Sequence, residues 1–293
     1  FYSMSKAIGF VGLGVMGYPM AGHLSKKYKV SVFNRSSEKA ENWASEFSGN
    51  FCSSIKEVSE KSDILILCVG NDHDVREIIC KKDGALDNLK EGSIIVDHTT
   101  TSADLCTELN KLLNSKNINF IDAPVSGGQL GAESGKLSIM VGGDKEKFNE
   151  IENILYTYSK FIKYMGESGS GQLTKMVNQI CIAGLIQGLS EGMNFSEKVG
   201  LDANKVVEVI SKGAAQSWQM DNRWETMAKG FYDHGFAVDL MRKDLDIVIN
   251  KANKLNINLE VTSLIDGFYK EIQKAGGGKW DTSSLYKRLK DSI

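Results

Sequence analysis

From Ala7 to about Gly143 the chain repeats one pattern: a short apolar run, a glycine-containing turn, then a segment with apolar residues three and four apart. The runs are AIGFVGLG, VSVFNR, DILILCVG, SIIVDHT, NFIDAPVSGG and KLSIMVGG. Short β-branched runs that are apolar on both faces predict strands of a parallel sheet, with the intervening helices covering it on both sides. After about Gly169 that rhythm stops. KVVEVI, DLDIVINKANKL and LIDGFYKEI place their apolar residues at helical spacing, so the remainder reads as helices only. The expected fold is therefore α/β, a Rossmann-type doubly wound sheet over residues 4–168, followed by an all-α domain over 169–293. Between Gln172 and Val199 a broad apolar face, interrupted by Gly184, Gly188 and Gly192, predicts one long helix. At 1.5 Å per residue it would run roughly 40 Å, enough to join the two domains and to add to a subunit interface.

Composition narrows the function. With 293 residues, 42% of them hydrophobic and 25% charged, the chain can bury a full core in each of two domains. A net charge of −2 without any polybasic run gives no electrostatic support for nucleic-acid binding. The five cysteines are odd in number and form no Cys-x-x-Cys pair, which argues against a disulfide framework or zinc site and favours a reducing cytoplasm. His23, His73, His98 and His234 are scattered, with no His-Glu-x-x-His pattern, so no metal is expected. No run reaches the roughly 18 apolar residues of a membrane span. The leading FYSMSK lacks a charged segment followed by an apolar one, and Phe1–Ser3 ahead of Met4 read as a cloning remnant.

The first strand runs into GFVGLGVMGYPMAGHL, which sets Gly12, Gly14 and Gly17 in the Gly-x-Gly-x-x-Gly order between a strand and a helix. In that order the first glycine permits the tight turn and the second lets backbone approach a pyrophosphate. The third lets helix and strand pack closely. With Leu13, Val15 and Met16 between them, these residues form the candidate phosphate cradle, and the helix start supplies amide donors and a favourable dipole. Pro19 suits a first helical turn. The second strand ends in Asn34, Arg35 and Ser36, where NAD-binding folds carry an acid for the ribose hydroxyls. A guanidinium and a hydroxyl can hold a 2′-phosphate that a carboxylate would repel, so NADP(H) is expected over NAD(H). The competing reading of Arg35 is a solvated surface arginine. Gly70, after ILILCV, is a weaker cofactor candidate at the end of the third predicted strand.

Two further stretches carry chemistry. In DAPVSGGQLG a strand turns through Ser126, Gly127 and Gly128, whose free amides and hydroxyl would suit a substrate carboxylate; a plain flexible connection is the alternative. In GSGQLTKMVNQ, Lys175 stands near the head of an otherwise apolar helix. A lysine there either snorkels to solvent or is used. Asn178 and Gln179 follow at i+3 and i+4 and can share its face.

In order and spacing, GFVGLGVMG, DAPVSGG, GSGQLTKMVNQ and MRKDLDIV resemble the β-hydroxyacid dehydrogenase family, from Met4 to the end. That family includes 3-hydroxyisobutyrate dehydrogenases, tartronate semialdehyde reductases and glyoxylate or succinic semialdehyde reductases. The resemblance implies that Lys175 is the catalytic acid/base, that Thr100 contacts the nicotinamide half of the cofactor, and that Lys243 closes over the cofactor from the helical domain, with Asp244 beside it. Several relatives carry a substrate-holding asparagine at i+4 from the lysine. Here the pair is Asn-Gln, as in tartronate semialdehyde reductases, and either amide could reach substrate. The distantly related 6-phosphogluconate dehydrogenases have His-Asn there, so a sugar phosphate is not expected. AAQSWQMDNR, around Trp218, reads equally as pocket lining or as aromatic core. The expectation is an NADP(H)-dependent reductase of a small aldehyde acid, in a homodimer or homotetramer. NAD-dependent oxidation of 3-hydroxyisobutyrate is one alternative, and a catalytically silent cofactor-binding scaffold is another.

Overall fold

The computed structural model describes residues 6–291; the expected domain start at Met4 and the expected remnant Phe1–Ser3 lie outside the described residues. The chain divides into two compact units between Lys175 and Met176.

The first unit is built on nine strands: β1 (Ile8–Val11), β2 (Val30–Phe33), β3 (Asn50–Phe51), β4 (Ile64–Leu67), β5 (Ile94–Asp97), β6 (Asn119–Asp122), β7 (Val125–Ser126), β8 (Leu137–Gly142) and β9 (Ser159–Gly166). Their order across the sheet is β3-β2-β1-β4-β5-β6-β8-β7, with β9 also pairing β8. From β3 to β6 every pairing is parallel, the doubly wound order expected of a dinucleotide-binding sheet. Beyond β6 the sheet departs from the expected parallel pattern: β8 runs antiparallel to β6 and β7 but parallel to β9.

Alternate residues feed opposite faces. Ile64 and Ile66 join Phe10, Met20 and Trp43 on one side, while Leu65 and Leu67 join Val75, Leu105 and Leu109 on the other. That two-sided burial is why the strands read as uninterrupted apolar runs, and each such side chain contributes about 1.5–3 kcal/mol over leaving it exposed. All six apolar runs form strands. β3 and β9 carried no such signal, because β3 is exposed and β9 turns Lys160, Phe161 and Lys163 to solvent at the sheet edge.

The second unit is helical. Val238–Lys254, Glu260–Lys274 and the middle of the long helix meet through Ala183, Ile186, Met241, Leu245, Ile265 and Tyr269. A second cluster gathers Met193, Met220, Trp224, Met227 and Tyr286. The long helix spans Ser170–Lys198, so it begins in the first unit and continues into the second.

Candidate active site

The glycine loop leaves β1 with Gly12 at φ +99°, where an added Cβ would run into the Cys68 carbonyl oxygen. An added Cβ on Gly14 would meet nothing within 4 Å. The loop is thus closed below by β4's exit and open above, a cradle backbone can offer to a diphosphate. Leu13 is buried, and its amide donates to Asn34 Oδ1 at 2.9 Å while Asn34 Nδ2 donates to the Ser36 carbonyl at 3.1 Å. Asn34 therefore ties the loop to the end of β2. Beyond it Arg35 and Ser36 are exposed, and the Ser36 hydroxyl makes no cap hydrogen bond to the helix it precedes. Val15 is exposed and Met16 half-buried. These residues fit a dinucleotide cofactor.

The neighbouring strand ends are tied together. The Gly70 amide donates to Asp74 Oδ2 at 3.2 Å, and Val69 N donates to Thr99 Oγ1 at 3.0 Å. Thr100 follows, half-buried. Beneath it Asp97 Oδ1 accepts the Thr99 amide at 2.9 Å, and burial pushes this carboxyl up to about 7 against the opposing pull of its Thr99 hydrogen bonds. His98 bridges the Ala123 carbonyl at 2.6 Å and the Tyr158 hydroxyl at 2.8 Å; burial holds its imidazole down at about 4.

Lys175 lies at 8% exposure, and its Nζ donates to the Val125 carbonyl at 2.8 Å. This brings the helix motif onto the strand motif 50 residues earlier. Val125 is followed in the chain by Ser126, Gly127 and Gly128, where Ser126 pairs with Ser138 and both glycines adopt positive φ. The backbone at the head of the same helix is held from the sheet as well: Asp122, at the end of β6, accepts the Gly169 and Gln172 amides at 2.7 and 3.0 Å.

In the second unit, Gln179 is buried; its Nε2 donates to Asp244 Oδ2 at 2.6 Å and its Oε1 accepts Asn178 Nδ2 at 2.8 Å. Lys243 Nζ lies 3.1 Å from Asp244 Oδ1. Trp218 is 42% exposed with the Arg223 guanidinium over its ring, so the core reading does not describe it. Among the described residues no His, Cys, Asp and Glu group could hold a metal ion, and no helix is long and apolar enough to cross a membrane. Sequence reasoning passed over Asp122 and Gln172. The one available signal was an acid closing a buried apolar strand, NFID.

Residues 7–166 match the family described as the NAD binding domain of 6-phosphogluconate dehydrogenase, and 169–289 that described as NAD-binding of NADP-dependent 3-hydroxyisobutyrate dehydrogenase. The 2-hydroxy-3-oxopropionate reductase of Escherichia coli (strain K12) is 32% identical over 96% of each chain. The chain belongs to the β-hydroxyacid dehydrogenase family. An uncharacterized oxidoreductase of Shewanella frigidimarina (strain NCIMB 400) is 50% identical over 97% of this chain and 98% of its own. The 3-hydroxyisobutyrate dehydrogenase of Mycobacterium tuberculosis, solved with L-serine, superposes with a TM-score of 0.87 at 26% identity, covering 98% of this chain and 99% of its own. The resemblance drawn from four motifs is borne out along the chain, and with it an NAD(P)-dependent β-hydroxyacid dehydrogenase.

Proposed function

We propose that the chain reduces a small aldehyde acid, of the semialdehyde or glyoxylate type, with NADPH, and that Lys175 supplies the proton. The observation that carries this reading is the buried Lys175 ammonium on the Val125 carbonyl, one residue from Ser126. In it the Ser126 hydroxyl and the Gly127 and Gly128 amides hold the substrate carboxylate, so that the carbonyl oxygen faces Lys175. The bound nicotinamide supplies a hydride to the carbonyl carbon. Lys175 gives its proton to the carbonyl oxygen, and in the oxidative direction the neutral amine takes it back. Asn178 is the amide that reaches substrate, because both ends of the Gln179 amide are engaged by Asp244 and by Asn178 itself.

Gly12, Leu13, Gly14, Val15, Met16 and Gly17 form the diphosphate cradle; Gly70, Thr100 and Lys243 complete the cofactor contacts. NADP(H) is favoured over NAD(H) by the exposed Arg35 and Ser36 at the end of β2, and by the description of the family that matches residues 169–289. Val177, Leu185 and Phe195, exposed on the long helix, support a homo-oligomer. Five free cysteines support a reducing cytoplasm.

The test is a panel of short aldehyde acids and β-hydroxy acids with each cofactor, read as nicotinamide absorbance. Turnover of an aldehyde acid with NADPH is expected. Preference for NADH and 3-hydroxyisobutyrate would favour oxidation instead, and cofactor binding without any turnover would favour a silent scaffold.

A further inference from the structure

Asp122 closes β6, and its side chain is fully buried. Its carboxylate accepts the Gly169 amide on Oδ1 at 2.7 Å and the Gln172 amide on Oδ2 at 3.0 Å, so both oxygens are spent on the head of the long helix. The fit leaves no spare room. A Cβ on Gly142 would lie 2.6 Å from Oδ1 and one on Gly171 would lie 2.7 Å from Oδ2. Gln172, also fully buried, uses its side chain in a second direction: Nε2 donates to the Thr99 carbonyl at 2.7 Å and Oε1 accepts the Thr101 amide at 3.1 Å. Those two backbone groups flank Thr100 on either side. One helical turn beyond Gln172 stands Lys175, whose Nζ returns to the Val125 carbonyl, three residues after Asp122.

The strand end Asp122–Val125, the loop Thr99–Thr101 and the helix head Gly169–Lys175 are thus held as one frame. We propose that Asp122 and Gln172 are positioning residues for the reaction, fixing the Lys175 ammonium relative to the Thr100 loop without touching substrate. The inference rests on the reading of Lys175 as the proton donor. Gln172 is the informative member because it must donate to one backbone group and accept from another. An ionised glutamate of the same shape keeps the acceptor for Thr101 N but sets a second oxygen against the Thr99 carbonyl. Once protonated, it can donate there again.

The test compares the full-length protein with Gln172→Glu and Gln172→Met, using the preferred substrate from the panel. Burial beside Asp97 and Asp122 raises an introduced carboxyl, so for Gln172→Glu kcat relative to the unsubstituted protein is expected to fall roughly 10–100-fold at about pH 9, with KM little changed, and to recover as pH falls through neutral. Gln172→Met should be impaired at every pH. A second readout needs no turnover: trace acetylation of Lys175, followed by mass spectrometry, should change in rate in both variants as Nζ loses its fixed place on Val125. Unchanged kcat and labelling in either folded variant would overturn the proposal, as would a loss in Gln172→Glu that pH does not reverse. If Gln172→Glu fails to fold, the labelling and KM-against-kcat split of Gln172→Met decide. Lys175→Ala, assayed alongside, separates the two claims: an active Lys175→Ala defeats the proton-donor reading, whereas an inactive one beside a normal Gln172→Glu defeats only the positioning role.

Discussion

Asp97 gives the structure a measurable pH signature. It ends β5 fully buried, with Oδ1 accepting the Thr99 amide and Oδ2 without a hydrogen-bond partner among the described residues. Burial, reinforced by Asp122 and Asp72, lifts its carboxyl from 3.8 to about 7. Between those values the folded chain keeps a proton that the unfolded chain has lost, so stability contributed by the neutral acid is complete below about 4 and is lost as pH rises through about 7. At about 1.4 kcal/mol per pH unit, this is a loss of ~4 kcal/mol across the window. His98, next in the chain, runs the other way: burial holds it at about 4 against 6.5, so its contribution is present above 6.5 and lost as pH falls through about 4, ~3 kcal/mol in all. In the unsubstituted protein the two largely cancel between about 4 and 6.5. Asp97→Asn removes one and exposes the other. Urea denaturation in small pH steps from 4 to 8, followed by circular dichroism, should show the variant gaining stability relative to the parent by ~4 kcal/mol as pH rises. Any fixed cost of burying the amide is the same at every pH and drops out of this slope. A difference that stays flat with pH, or that tilts the opposite way, would mean that folded Asp97 holds no extra proton across this range.

Arg35→Asp should raise KM for NADPH roughly 10–100-fold, the scale of one lost charge-assisted contact, while NADH is held or improved; an unchanged NADPH KM in a kinetic titration would contradict the phosphate role. Phe195→Asp, on the exposed stripe of the long helix, should give a folded species of smaller mass than the parent by light scattering, and a parent that is already monomeric would count against an interface there.

The strands buried on both faces were legible because two-sided burial leaves no polar position to interrupt them, as in IGFV, ILIL and IIVD. β9 was not, since an edge strand with Lys160 and Lys163 in solvent has neither an apolar run nor strict alternation. Glycine order located the cofactor loop because the chemistry there is done by local backbone. The details that depend on distant partners were not readable. Apart from the family resemblance, Lys175 stands out in the sequence as an odd charge, and the carbonyl that fixes it lies 50 residues away. The choice between Asn178 and Gln179 turns on Asp244, 65 residues further along the chain from Gln179. Nor does the strand-end position of Asn34, a candidate cofactor residue, reveal that its side chain joins Leu13 to Ser36. Asp122 and Gln172 escaped notice because each acts on backbone amides and carbonyls of other loops, which no spacing rule reveals.

Proton transfer by Lys175 is read most directly from the turnover of Lys175→Ala under conditions where cofactor occupancy is established separately by NADPH fluorescence. Intact NADPH binding is expected, with kcat reduced by roughly 10²–10⁴-fold, the usual worth of a positioned acid or base. A variant that binds NADPH and retains turnover within a few-fold of the parent would contradict it.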